Sequence, residues 1–102
     1  MRVLQASNPK HPSETLTLTF DFGRDLGSNT LVSAATVCLN ALGVSDPSPS
    51  AVVSGSAAIS GTVVSQKVIG GLSGATYELQ VTAVDSAGNV LLYSQLLPVI
   101  SL

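Results

Sequence analysis

The sequence predicts an all-β domain, and three observations carry that reading. From residue 15 to 22 the pattern alternates without a break, with Leu16, Leu18, Phe20 and Phe22 on one face and Thr15, Thr17, Thr19 and Asp21 on the other. That is the period of a strand with one side buried. Runs rich in Val, Thr and Ala then recur between clusters of Gly, Pro, Asn, Asp and Ser, with no helical stretch between them, which suits a sandwich or barrel and not βαβ units. Finally, the 102 residues are 45% hydrophobic, 4% aromatic and 10% charged. The apolar mass is aliphatic, and the chain is too apolar and too weakly charged for disorder. This length makes one domain, large enough to bury a core without disulfides or metal.

Along the chain, residues 1–12 read as an extended N-terminal arm and residues 13–102 as the folded domain. Asn8, Pro9, His11 and Pro12 favour extended or turn geometry, and the prolines cannot donate to a backbone ladder. Mobility of this arm in the isolated protein, and ordering against a partner through Val3, Leu4, Pro9, His11 and Pro12, is the expectation. After the first strand, Gly23-Arg24-Asp25-Leu26-Gly27-Ser28-Asn29 reads as a turn. Residues 31–39 form the next strand, with Leu31, Ser33, Ala35, Val37 and Leu39 on one parity and Val32, Ala34, Thr36 and Cys38 on the other. Asp46-Pro47-Ser48-Pro49-Ser50 cannot continue a central strand. Residues 51–56 and 57–69 read as short strands bending at Gly55 and Gly61. Gly70 to Gly74 form a loop, 75–84 a strand, 85–89 a turn and 90–99 the last strand. One core is expected from Leu16, Leu18, Phe20, Val37, Leu72, Leu79 and Val81.

Composition also excludes functions. Four Lys+Arg against six Asp+Glu cannot build a stripe that tracks phosphates, so no nucleic-acid partner is expected. No run of eighteen apolar residues occurs, so no membrane span is expected, and the N-terminus lacks the apolar core of a signal peptide. Synthesis in a cytoplasm is the simplest reading. A single Cys and a single His supply neither a disulfide framework nor a zinc ligand set. His11 lies in a Pro-flanked segment with no nucleophile elbow, and reads as a solvent or interface histidine. Cys38, between Val37 and Leu39, reads as a small core hydrophobe. Asp21 and Asp25 are too sparse for a calcium loop and read as turn residues. Gly70 to Gly74 lacks the Lys-Ser/Thr of a phosphate loop. Neither a catalytic residue, a metal site nor a cofactor is expected; the chain reads as a non-enzyme.

The most specific local pattern is Gly71-Leu72-Ser73-Gly74-Ala75-Thr76-Tyr77-Glu78-Leu79-Gln80-Val81, followed by Asp85-Ser86-Ala87-Gly88-Asn89. It resembles the E–F corner and F strand of fibronectin type III and related immunoglobulin-like domains. There a Leu packs into the core, a Tyr hydroxyl bonds back to upstream backbone, and alternate residues face inward. Leu72, Tyr77, Leu79 and Val81 hold those places, and the resemblance implies an immunoglobulin-like or fibronectin type III-like β-sandwich of about seven strands. The lack of Trp and of a Cys pair sets it apart from antibody domains.

The chain as a whole resembles the fibre-tail adaptor proteins of tailed bacteriophages. The resemblance rests on the Pro-containing segment around Pro9 and Pro12, the strand ending Phe20-Asp21-Phe22, the Leu26-Gly27-Ser28-Asn29 loop, Thr30-Leu31-Val32-Ser33, and Gly71, Gly74, Tyr77, Leu79 and Ser86-Ala87-Gly88. Where that family commonly carries Trp, this chain has Phe22 and Ala35 or Thr36. The resemblance implies a structural virion protein, located in the tail or neck. Its partners would be other phage virion proteins, namely the tail fibre and the tail/neck adaptor or nozzle, and it would be present as a homo-oligomeric set of copies. Two other readings stand beside it: a capsid decoration, or cement, protein stabilising the head, and a carbohydrate-binding immunoglobulin-like module.

Overall fold

The computed structural model describes residues 5–6, backbone only, and 9–101. It is all-β. Strands β1 (Gln5–Ala6), β2 (Leu16–Asp21), β3 (Leu31–Gly43), β4 (Val53–Ser60), β5 (Val63–Val68), β6 (Ala75–Asp85) and β7 (Val90–Pro98) are joined by one helical turn, α1 (Gly23–Leu26), and one 3-10 turn, Pro49–Val52. They form a four-stranded sheet in the order β1-β7-β6-β3 and a three-stranded sheet in the order β2-β5-β4. Apart from the parallel β1–β7 pair, the ladders are antiparallel.

The two sheets share one core. Phe20, Val64 and Val68 enter it from the smaller sheet, and Cys38, Tyr77, Leu79, Val81, Ala83 and Leu97 from the larger. β6 shows the cause most plainly: every odd residue from Ala75 to Asp85 is buried, as a pleated strand with one covered face requires. Tyr93 of β7 meets Phe20 and Phe22 edge-on, at centroid distances of 5.4 and 5.9 Å, so the aromatic contacts also tie the two sheets together. Leu16 and Leu18 pack against the core partly buried.

Two expected core residues lie outside it. Val37 is 52% exposed and Leu72 41% exposed. For Val37 the reason is a bulge between Leu31 and Ser33, which adds one residue and reverses the parity of everything after it. Leu31 faces in, and beyond the bulge Ala34, Thr36 and Cys38 face in while Ala35, Val37 and Leu39 face out. For Leu72, the space beside the corner is already filled. A Cβ on Gly71 would lie 3.0 Å from a Val99 methyl and 3.3 Å from the Tyr77 ring, so Val99 and Tyr77 close over the loop and the Leu72 side chain turns outward.

Other boundaries shift for local reasons. The expected turn after β2 contains α1, whose Leu26 is buried in the core. Asp21 Oδ1 holds its start by accepting from the Gly23 N–H at 2.8 Å and the Thr62 hydroxyl at 3.0 Å. Gly55 does not end a strand; β4 runs through it with a register jump between Ser54 and Ala58. Buried Gln66 compensates: its Nε2 donates to the Ser54 and Gly55 carbonyls, each at 3.2 Å.

The reading of an N-terminal arm also needs correction over its described part. β1 pairs with β7 in the register Gln5–Gln95 and Ala6–Leu96. Further on, the Lys10 N–H donates to Pro98 O at 2.9 Å and Lys10 O accepts from the Ile100 N–H at 2.8 Å. The ladder uses Lys10 and passes over the prolines, which lack the donor. Lys10 is fully buried, and its Nζ donates to Gly70 O at 2.7 Å and His11 O at 2.9 Å.

Candidate docking surface

Cys38 and His11 both serve the fold. Cys38 is buried, and its thiol pKa is pushed up to about 11, by burial first and the Asp46 carboxylate second, so it stays protonated and un-nucleophilic near neutrality. His11 accepts the Ser13 N–H at Nδ1 (3.0 Å), and its own N–H donates to Glu14 Oε1 at 2.7 Å; the imidazole shapes a turn. Among the described residues, no group of three or more His, Cys, Asp or Glu is placed to hold a metal ion.

The residues expected at the fold signature and the interface divide. Leu79 and Val81 are in the core, and Leu72 is at the surface. Buried Tyr77 forms a corner: its hydroxyl accepts the Leu72 N–H at 2.8 Å and donates to Asp46 Oδ2 at 2.7 Å. Asp46 is a partner the sequence reading missed. Its Oδ1 also accepts the Ser48 N–H at 2.8 Å, and these bonds, Tyr77 foremost, hold its carboxyl below the usual range against the opposing effect of burial. Of the expected interface residues, Val3 and Leu4 lie outside the described residues, Pro9 is exposed, and His11 and Pro12 are half-buried.

Asp85 was also missed, although the turn it opens was recognised. It is buried; Oδ1 accepts the Asn89 and Ala87 N–H groups (2.8 and 3.0 Å), and Oδ2 accepts Asn89 Nδ2 at 3.0 Å. Its carboxyl is lowered chiefly by the Asn89 side chain.

A candidate surface for recognition is the outer face of the larger sheet. Its register places Ala35, Thr82 and Leu92 in one row, Val37, Gln80 and Ser94 in the next, and Leu39, Glu78 and Leu96 in a third. Glu78 is the one charged side chain in these rows, and it accepts Gln80 Nε2 at 3.1 Å. Val37, Leu39, Leu42, Val90 and Leu92 are each more than 40% exposed. Such a face lacks the steering charge of a polyelectrolyte binder and offers apolar contact with scattered hydrogen-bonding groups, the makeup of a protein–protein surface. The sequence held one usable signal for it: no charged residue occurs between Asp25 and Asp46.

No curated protein matches the chain. The family model described as podophage GP4 fiber-tail adaptor protein gp77 matches residues 10–98, from the Lys10 anchor to the last residue of β7, and this chain belongs to that family.

Proposed function

We propose that the protein is a non-enzymatic adaptor that joins tail fibres to the tail or neck of a phage virion by protein–protein contacts, in several symmetry-related copies. The family match over residues 10–98 carries this reading. The body is read as an immunoglobulin-like sandwich, supported by the strand orders β1-β7-β6-β3 and β2-β5-β4 and by the Tyr77 corner. The outer face of the larger sheet, apolar and almost uncharged, suits docking to a fixed neighbour. A carbohydrate-binding role lacks its usual platform: Phe20, Phe22 and Tyr77 are buried and Tyr93 is half-buried against the phenylalanines, which leaves no exposed ring row for stacking on sugars.

The test is a phage made without this protein and complemented in trans. Electron microscopy should show filled heads and tails without fibres, with fibres restored by complementation. Fibres that remain in place while heads leak DNA would establish the capsid cement role instead.

A further inference from the structure

We infer that the protein seated on the outer face of the β1-β7-β6-β3 sheet carries an arginine or lysine within an apolar surface, and that Glu78 is the carboxylate that receives it. The inference rests on the adaptor reading and adds to it the chemistry of the partner. The register lays the face out in three lines. β3 contributes Val37 and Leu39 on one side and β7 contributes Leu92 on the other, all more than 40% exposed. Between them β6 turns out its even-numbered residues, Thr76, Glu78, Gln80 and Thr82, because its odd-numbered ones are buried. The apolar lines stand about 10 Å apart, two strand spacings, with a polar line down the middle.

Glu78 is half-buried in the isolated chain, and its carboxylate accepts Gln80 Nε2 at 3.1 Å. No lysine or arginine stands in the rows of this face to pair with it. A protein that docks on Val37, Leu39 and Leu92 also covers Glu78, which lies between them, and strips water from its carboxylate. A covered carboxylate is costly unless it meets an opposite charge with good hydrogen bonds. Carboxylate oxygens have room for about four donors, and Gln80 uses one, so the fork of an arginine or the ammonium of a lysine can be taken up there.

The same charge argues against a second copy as the occupant. A copy stacked symmetrically with its centre on this face sets β6 over β6. The two Glu78 carboxylates would then share one dry layer, which like charges oppose. Nor can a copy in that arrangement supply the counter-charge, because Arg24 and Lys67, both exposed, lie in α1 and β5, away from this face. A basic residue set among apolar ones on a different virion protein satisfies both the flanks and the centre.

The experiment measures capture of the purified full chain by phage particles assembled without it. Wild-type chain should bind saturably. Glu78→Gln keeps the shape and removes the charge, and should raise the dissociation constant about thirtyfold or more, the usual loss when a covered cation is left unpaired. Its melting temperature should stay within a few degrees of wild type. Glu78→Leu should weaken capture at least as much, since it too strands the partner's cation. A covered pair is screened little by salt, so both losses should persist at high salt. Wild-type binding together with unchanged or tighter capture of either variant would overturn the inference, for the partner would then bring no counter-charge to Glu78. Wild-type chain that does not bind such particles at all would instead remove the adaptor reading, and the inference would fall with it.

Discussion

Tyr77 and Asp46 show how single side chains close this fold. The tyrosine hydroxyl is both acceptor for the Leu72 N–H and donor to Asp46, so one oxygen ties the loop before β6 to the segment after β3. Tyr77→Phe keeps the ring and removes both bonds, and is expected to cost about 1–2 kcal/mol in chemical denaturation. An unchanged midpoint would mean that water replaces the hydroxyl without penalty. The carboxylates add a pH dependence with a defined sign. Asp46, Asp85 and Asp21 all have pKa values lowered in the folded state by hydrogen bonds they accept. Their stabilisation is therefore complete above the ordinary carboxylate range, near pH 4, and is lost as pH falls through the lower folded values. Melting temperature should be flat near neutrality and decline below about pH 4. Asp85→Asn should lower the neutral plateau and shrink the acid decline, because an amide keeps one acceptor oxygen for the Ala87 and Asn89 N–H groups but sets an NH2 donor where the Asn89 and Asn29 side chains donate.

At the level of elements, legibility followed how strictly a strand keeps its period. β2 and β6 alternate without interruption, and their inward residues Phe20, Leu79 and Val81 could be read from the sequence. β3 could not be read this way, because both of its parities are apolar and the Leu31/Ser33 bulge, which decides between them, has no marker in Leu-Val-Ser. The exposed apolar outer face escaped the sequence for the same reason, since simple alternation turns Val37 inward. The N-terminal pairing was missed because prolines read as arm residues, whereas Gln5 and Ala6 pair with β7 and Lys10 bonds to Pro98 and Ile100. Removing residues 1–12 deletes that ladder and leaves the Gly70 carbonyl without the Lys10 ammonium. The truncated protein should therefore melt lower by about 5 °C or more, and an unchanged melting point would restore the free-arm reading. Glycines give a second comparison. At Gly43 (φ +74) a Cβ would collide with the Gly74 carbonyl oxygen, which also accepts the Val44 N–H, while at Gly61 (φ +60) it would meet open space. Gly61→Ala should cost about 1–2 kcal/mol from backbone conformation alone. Gly43→Ala should cost clearly more, and equal losses would mean that the β3 terminus yields freely.

For the whole molecule, the distribution of charge determines how it can hold its neighbours. The chain has four Lys+Arg and a net charge of -2. Lys10 is buried on carbonyls, and Arg24 and Lys67 sit apart from the outer face of the β1-β7-β6-β3 sheet, in α1 and β5. Glu78 alone carries charge in the central rows of that face. Attraction between exposed charges is screened over about 8–10 Å at moderate salt, so a contact that depended on it would weaken steeply as salt rises. A contact made by apolar side chains and strand-edge backbone bonds has no such term. Capture of this chain by fibreless tails should accordingly change by less than about threefold in affinity from roughly 50 to 500 mM salt, a range over which binders that neutralise many phosphates lose orders of magnitude. Leu39→Asp and Leu92→Asp should each weaken capture while leaving the melting temperature within a few degrees, since both residues are more than 40% exposed. Steep salt dependence together with indifference to these substitutions would place the docking contacts on charged side chains away from this face, such as Arg24 and Lys67.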